Sequence, residues 1–269
     1  MVAKSIDIGT SALAPFETGS RKLLIEWAPF HVHVLLWNTS DGAIEAIESF
    51  SGSIVDEEDW DFVVAQSRLF ALRNLETLLV CAAQRMLPVP QTLFHAEQSQ
   101  AELNLLLGTA DWHQPMADLV PEKDMVLAWQ VPQTVLTCLQ KHFDILTVRH
   151  LAGELLKKPL QAEQPLGQLV LADKQALLLL HTKDGLLFAG MLPVISADDL
   201  AYRLLNICKQ YDLPAGDTQW LVSGMIEKEA ALYQGIEKYL QQITLWPVAI
   251  PTGEAVSPHY FAHLYTILS

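Results

Sequence analysis

The chain has 269 residues, 51% of them apolar and 18% charged, which is enough apolar material for two ordinary cores and excludes a disordered protein. Its 17 basic and 31 acidic residues give a net charge of −14, which repels phosphate backbones and anionic lipid surfaces and argues against nucleic acid or membrane as partners. Cys81, Cys138 and Cys208 are far apart, odd in number and set in apolar segments, as expected of buried free thiols in a reducing cytoplasm. No window reaches the roughly 18 uninterrupted apolar residues of a spanning helix, and the first residues lack a run of signal-peptide length.

Residues 1–20 are rich in Ser, Thr, Gly and Ala without sustained periodicity and read as a loose leader. A strand is expected from Lys22 to Trp27, a tip at Ala28–Phe30, a return strand His31–Trp37, a turn at Asn38–Gly42 and a third strand Ala43–Phe50. The acidic cluster Asp56–Asp59 suits the positive end of a helix, and Trp60, Val63, Val64, Leu69 and Leu72 continue it at helical spacing. Glu76–Ala83 is a short buried strand, and after Pro88 and Pro90 a helix runs from Gln100 to Leu107 and stops at Gly108. Strand, helix, strand and helix follow over Asp124–Gln130, Pro132–Lys141, Ile145–Val148 and His150–Lys157.

Pro159–Pro165 is polar and structure-breaking, and places a boundary near residue 160 between domains 21–160 and 161–269. Beyond it, hairpins join three strands within Gln168–Val194, Ser196 opens a helix to about Tyr211, Gln219–Val222 is a buried strand, and Ser223 and Gly224 turn into an amphipathic helix. Thr244–Pro251 is extended, and Ser257 and Pro258 open a closing helix with Phe261, Leu264, Tyr265 and Leu268 on its apolar side. The order β-β-β-α-β-α thus occurs twice, an α/β architecture of two lobes with a central cleft.

Pro88–Phe94, Ile195–Asn206, Leu221–Ile226 with Leu232, Tyr233 and Tyr239, and His259–Leu264 carry a resemblance to an uncharacterised bacterial family, domain of unknown function 3822, over about Lys22 to Leu268. The duplicated order also resembles the actin-like ATPase, or ribonuclease H-like, fold. That resemblance implies two phosphate-gripping hairpin tips of the form Asp-x-Gly, with Mg²⁺ organised by the aspartates, and a glycine pair beneath the adenosine. Here the first tip has Glu26 for the acid, Ala28 for the glycine and Pro29, which has no N–H to donate. The second tip keeps Asp173 beside Lys174 without a glycine, and the adenosine position keeps Gly224, after Ser223, of the pair. Glu26, Asp173, Lys174, Ser223 and Gly224 are therefore the vestigial cleft candidates.

Asp7–Ser11 matches the phosphate-loop pattern literally but lacks an alternating return strand after it, so the match reads as coincidence. His31 with His33, and His259 with His263, have spacings compatible with a metal, but no carboxylate or Cys is adjacent to either pair, and no metal is expected. Ser223 follows a strand and precedes a helix as a nucleophile would, but Leu221 stands where the elbow needs glycine, which favours a turn role. Together these readings predict a cytoplasmic, non-catalytic scaffold or protein-binding module without cofactor. The alternative is an ATP- and Mg-dependent enzyme or switch with rebuilt phosphate contacts.

Overall fold

The computed structural model describes residues 1–9, 20–72, 74–159, 162–248 and 256–269. They group into two compact units, one made chiefly of Met1–Val120 and Asp124–Glu154, the other of Pro121–Lys123, Leu155–Ala249 and Ser257–Ser269. The first unit runs β1 (Ala3–Ile8), β2 (Arg21–Ala28), β3 (His31–Asn38), β4 (Ile44–Ser51), α1 (Glu57–Gln66), β5 (Glu76–Cys81), β6 (Met86–Pro90), α2 (Ser99–Leu107), β7 (His113–Val120), β8 (Met125–Pro132), α3 (Gln133–Gln140), β9 (Leu146–His150) and α4 (Leu151–Leu156). The second runs β10 (Leu166–Ala172), β11 (Gln175–Thr182), β12 (Gly185–Pro193), α5 (Ala197–Gln210), β13 (Gln219–Gly224), α6 (Ala231–Glu237), β14 (Gln242–Leu245) and α7 (Ala262–Leu268).

The duplication is explicit in the sheets. The first is ordered β1-β4-β3-β2-β5-β9 and the second β12-β11-β10-β13-β14. With β1 set aside, each has its third, second, first, fourth and fifth strands side by side, hairpin partners antiparallel and the last three parallel. Both first strands are buried on both faces and mostly apolar, as a central strand of such a sheet must be, each with one buried polar residue, Glu26 in β2 and Gln168 in β10. In the second unit Leu169, Leu178, Leu200, Leu204, Trp220, Tyr233 and Ile236 belong to one buried core cluster. Gly167 is required there, because a Cβ would lie 2.4 Å from the indole of Trp220.

The structure corrects the sequence reading in three places. The helix that precedes the fifth strand of the first sheet is α3, not the Gln100–Leu107 helix. That helix, α2, belongs to an insertion with an antiparallel sheet ordered β6-β8-β7. The insertion was hard to see because Pro88, Pro90 and Pro115 look like breakers, yet they lie on its two edge strands, where a missing N–H breaks no ladder.

The leader is not loose over Ala3–Ile8, which pairs antiparallel with β4 at the sheet edge. Helix α1 begins as expected, with the Asp56 carboxylate accepting from Asp59 N, but ends at Gln66 rather than continuing to Leu72. One group explains both differences. The Glu48 carboxylate is fully buried and accepts from Lys4 Nζ at 2.6 Å, Arg68 N at 3.0 Å, Leu69 N at 3.4 Å and the Ser67 hydroxyl. It holds β1 through Lys4 and draws the chain out of α1 by capturing the amides that follow it.

Lys4→Met should therefore lower stability by about 2 kcal/mol, below the usual cost of orphaning a buried charge because Glu48 keeps its other donors. Adding Glu48→Gln should recover part of that loss in urea unfolding, and strictly additive losses would contradict the coupling.

Candidate functional site

The β2–β3 hairpin turns through only two residues, Pro29 and Phe30, with Ala28 opposite His31 and Glu26 opposite His33. Directly opposed residues share a face, so a carboxylate and two imidazoles meet on one side of the sheet, while Trp27 and Val32 occupy the other. Glu26, His31 and His33 are all buried. Glu26 Oε2 lies 3.7 Å from His31 Nε2 and 3.9 Å from His33 Nε2. The imidazoles stack with centroids 4.4 Å apart at 23°, and His33 Nδ1 is 2.8 Å from the Ser49 hydroxyl on β4. No carboxylate is adjacent to the His31–His33 pair in sequence, as read, but one reaches it from the facing strand, and the two-residue turn is the signal that points to it.

The tip is closed by the next loop. Gly52 N donates to Phe30 O at 3.0 Å, Ile54 N to Pro29 O at 2.9 Å, and Trp27 Nε1 to Ile54 O at 2.9 Å. Beside it a cavity of about 330 Å³ is lined by Trp27, Pro29, Arg85, Trp112, His113 and Gln130, among others. Its Arg85 guanidinium is committed to Gln130 Oε1 at 2.5 Å, to Leu107 O at 2.7 Å and to Gly108 O, where it caps α2. Burial, with Arg85 adding to it, lowers the His113 pKa.

The other four candidates lie in the second unit. Asp173 and Lys174 are the two-residue turn between β10 and β11, with Asp173 at φ +47° and Lys174 O accepting from Val194 N at 2.8 Å. Gly224 ends β13 beside Leu171, at φ +111°, where a Cβ would lie 2.1 Å from Leu171 O, so backbone approach alone demands the glycine. Ser223, next to it, is fully buried. Its Oγ is 2.6 Å from His263 Nδ1, 2.8 Å from His259 O and 3.2 Å from His263 N. A carbonyl only accepts and an amide only donates, so the hydroxyl proton goes to His259 O and His263 Nδ1–H donates to Oγ. A serine whose proton is spent on a carbonyl is a tie between β13 and α7, not an activated nucleophile. His259 Nε2 is bonded to Ile226 O at 2.5 Å. The closing helix buries His263, Leu264 and Ile267, while Tyr265 and Leu268 are only half-buried.

Of the leader motif, Asp7 is ion-paired with Lys4 at 2.6 Å. Gly9 is at φ +75°, where a Cβ would meet Glu45 O at 2.1 Å. The ion pair within β1 engages Asp7, the approach to β4 requires Gly9, and the central hairpin position belongs to β2 and β3. Thr10, Ser11 and the stretch expected not to alternate lie outside the described residues.

A family model described as Protein of unknown function (DUF3822) matches residues 10–243. No curated protein matches. Among solved structures, a protein from Bacteroides thetaiotaomicron VPI-5482 with actin-like ATPase fold and unknown function superposes with a TM-score of 0.76 at 14% identity, covering 94% of this chain and 96% of that one. The PilM–PilN type IV pilus biogenesis complex gives 0.60 at 12% identity, covering 92% of this chain and 97% of the matched chain. The chain has the actin-like ATPase fold.

The parallel strands beneath the hairpin are locked at their ends by one histidine. His150, at the end of β9, is fully buried, accepts from Ala152 N on Nδ1 at 3.0 Å and donates from Nε2 to Ala83 O at 2.9 Å. Burial, which outweighs the Ala83 hydrogen bond, pushes its pKa down to about 4. The unfolded chain binds that proton near pH 6.5, so between about pH 6.5 and 4 it binds more protons than the folded chain, and stability must fall as pH drops through that window. Between pH 7 and 5 this one group should cost about 2 kcal/mol. Urea unfolding of His150→Gln should show a correspondingly shallower pH dependence, and identical slopes would contradict the assignment.

Proposed function

Because the chain belongs to the DUF3822 family of proteins of unknown function and has the actin-like ATPase fold, we propose that it is a non-catalytic member of that fold, a scaffold that binds a protein partner. The observation that carries this reading is the first hairpin turn. A phosphate-gripping tip works by aiming backbone N–H groups at the ligand from a glycine-bearing loop. Here Pro29 has no N–H, both tip carbonyls are held by the Gly52–Ile54 loop, and the acid of the hairpin, Glu26, is buried against two imidazoles. At the second turn Asp173 supplies a left-handed turn residue, and Gly224 is fixed by its approach to Leu171.

The partner half of the proposal is supported by where apolar side chains remain exposed. The insertion carries Leu93, Leu105, Leu106 and Trp112 at 63%, 84%, 61% and 76% exposure, the last lining the cavity beside the hairpin. Apolar surface gathered on one subdomain is what a protein-docking face requires. The PilM–PilN complex is an instance of a chain of similar fold found with a partner. No helix among the described residues is long and apolar enough to cross a membrane.

The test is phosphate release from Mg-ATP by the purified chain, with Asp173→Ala as control. The proposal predicts no release above the blank from either protein. Saturable turnover that disappears in Asp173→Ala would instead support the alternative, an ATP- and Mg-dependent enzyme or switch with rebuilt contacts.

A further inference from the structure

Three side-chain ligand atoms converge on the first hairpin. Those of Glu26, His31 and His33 all lie within 4.8 Å of one another. We propose that Glu26, His31 and His33 bind one divalent transition-metal ion of the zinc class. This goes beyond the proposed function and stands whether or not a protein partner exists.

The distances suit a metal. Ligand atoms around tetrahedral zinc, bonded at about 2.0–2.1 Å, stand about 3.3 Å apart. The carboxylate oxygen is 3.7 and 3.9 Å from the two imidazole nitrogens, and the ligand atoms of all three residues lie within 4.8 Å of one another, so the side chains need only close inward around an ion. The ligands come from neighbouring strands, β2 and β3, with β2 held on its far side by β5, a scaffold that keeps their spacing.

The imidazoles are also set up for coordination. His33 Nδ1 is engaged by Ser49 Oγ at 2.8 Å, which turns Nε2 toward Glu26. A second hydrogen bond of this kind fixes the ring and tautomer of a metal-bound histidine. His31 Nε2 is buried and makes no hydrogen bond, and its nearest ionic neighbour is Glu26 Oε2. A divalent ion between these side chains would meet the buried carboxylate and both nitrogens together.

The donor set selects the ion. Two imidazoles and one carboxylate suit Zn²⁺, Co²⁺, Ni²⁺ or Fe²⁺, whereas Mg²⁺ and Ca²⁺ take oxygen ligands. The site therefore differs in kind from the Mg–phosphate chemistry of an ATP-hydrolysing hairpin. Three protein ligands leave a position for water or a further ligand.

The test uses the full chain after stripping with chelator, titrated with zinc chloride by calorimetry and with cobalt chloride by visible absorption. The proposal predicts one equivalent per chain and, with cobalt, the ligand-field bands of a nitrogen- and oxygen-ligated site. Glu26→Gln and His33→Asn should each weaken affinity by at least about tenfold, and Ser49→Ala by about tenfold. Because a variant at a buried position can fail to fold, the imidazole nitrogen resonances of His31 and His33 in the unaltered chain provide a second readout, and both should move on adding zinc. Absence of stoichiometric binding, resonances that do not move, or equal affinity in folded Glu26→Gln and His33→Asn would overturn the proposal. The last two results would place the bound metal elsewhere.

Discussion

A carboxylate taken out of water costs several kcal/mol unless cation or donors meet it, and two of the buried carboxylates of the first unit, Glu48 and Glu26, organise its edge strand and its central hairpin. Glu48 recruits Lys4, the Ser67 hydroxyl and the Arg68 and Leu69 amides. That one demand attaches the edge strand β1 and ends helix α1. Glu26, on the central strand, is met by imidazoles from the facing strand, and this fixes what the hairpin tip can do. The acid of this tip is enclosed by its own hairpin, and its turn contains Pro29, which has no N–H to offer.

The second unit reaches the same topology by different means. Among the described residues its sheet carries no buried acid. Its order comes from an apolar cluster that includes Trp220 and from two close backbone approaches, Gly167 under the Trp220 indole and Gly224 against Leu171. The Ser223 hydroxyl then ties α7 to the end of β13 through His259 and His263. Gly167, Gly224 and Ser223 thus each have a packing or hydrogen-bonding role within this unit.

Much of the fold was legible in the sequence because its signals are local. Alternation and turn residues mark the hairpins, and Asp56 and Ser196 mark helix starts that the structure caps with their side chains. The rest depends on pairing between residues distant in the chain. Nothing near Lys4 indicates that it meets Glu48, nothing near Ser223 indicates His263, and the prolines of β6 and β7 are permitted only because those strands lie at sheet edges. The Glu26–His33 pairing is the intermediate case. It follows from reading Pro29 and Phe30 as a two-residue turn and counting back, but not from asking only which acids adjoin the histidines.

The account rests on the claim that the nucleotide chemistry of this fold has been replaced at its first hairpin. The most direct test is to titrate the purified chain with ADP and with Mg-ATP by calorimetry, with thermal melting alongside. The account predicts no saturable heat and no shift in Tm. A ligand that binds the folded chain at 100 times its Kd adds about 2.7 kcal/mol of stability. A saturable titration accompanied by stabilisation of that size would contradict the claim.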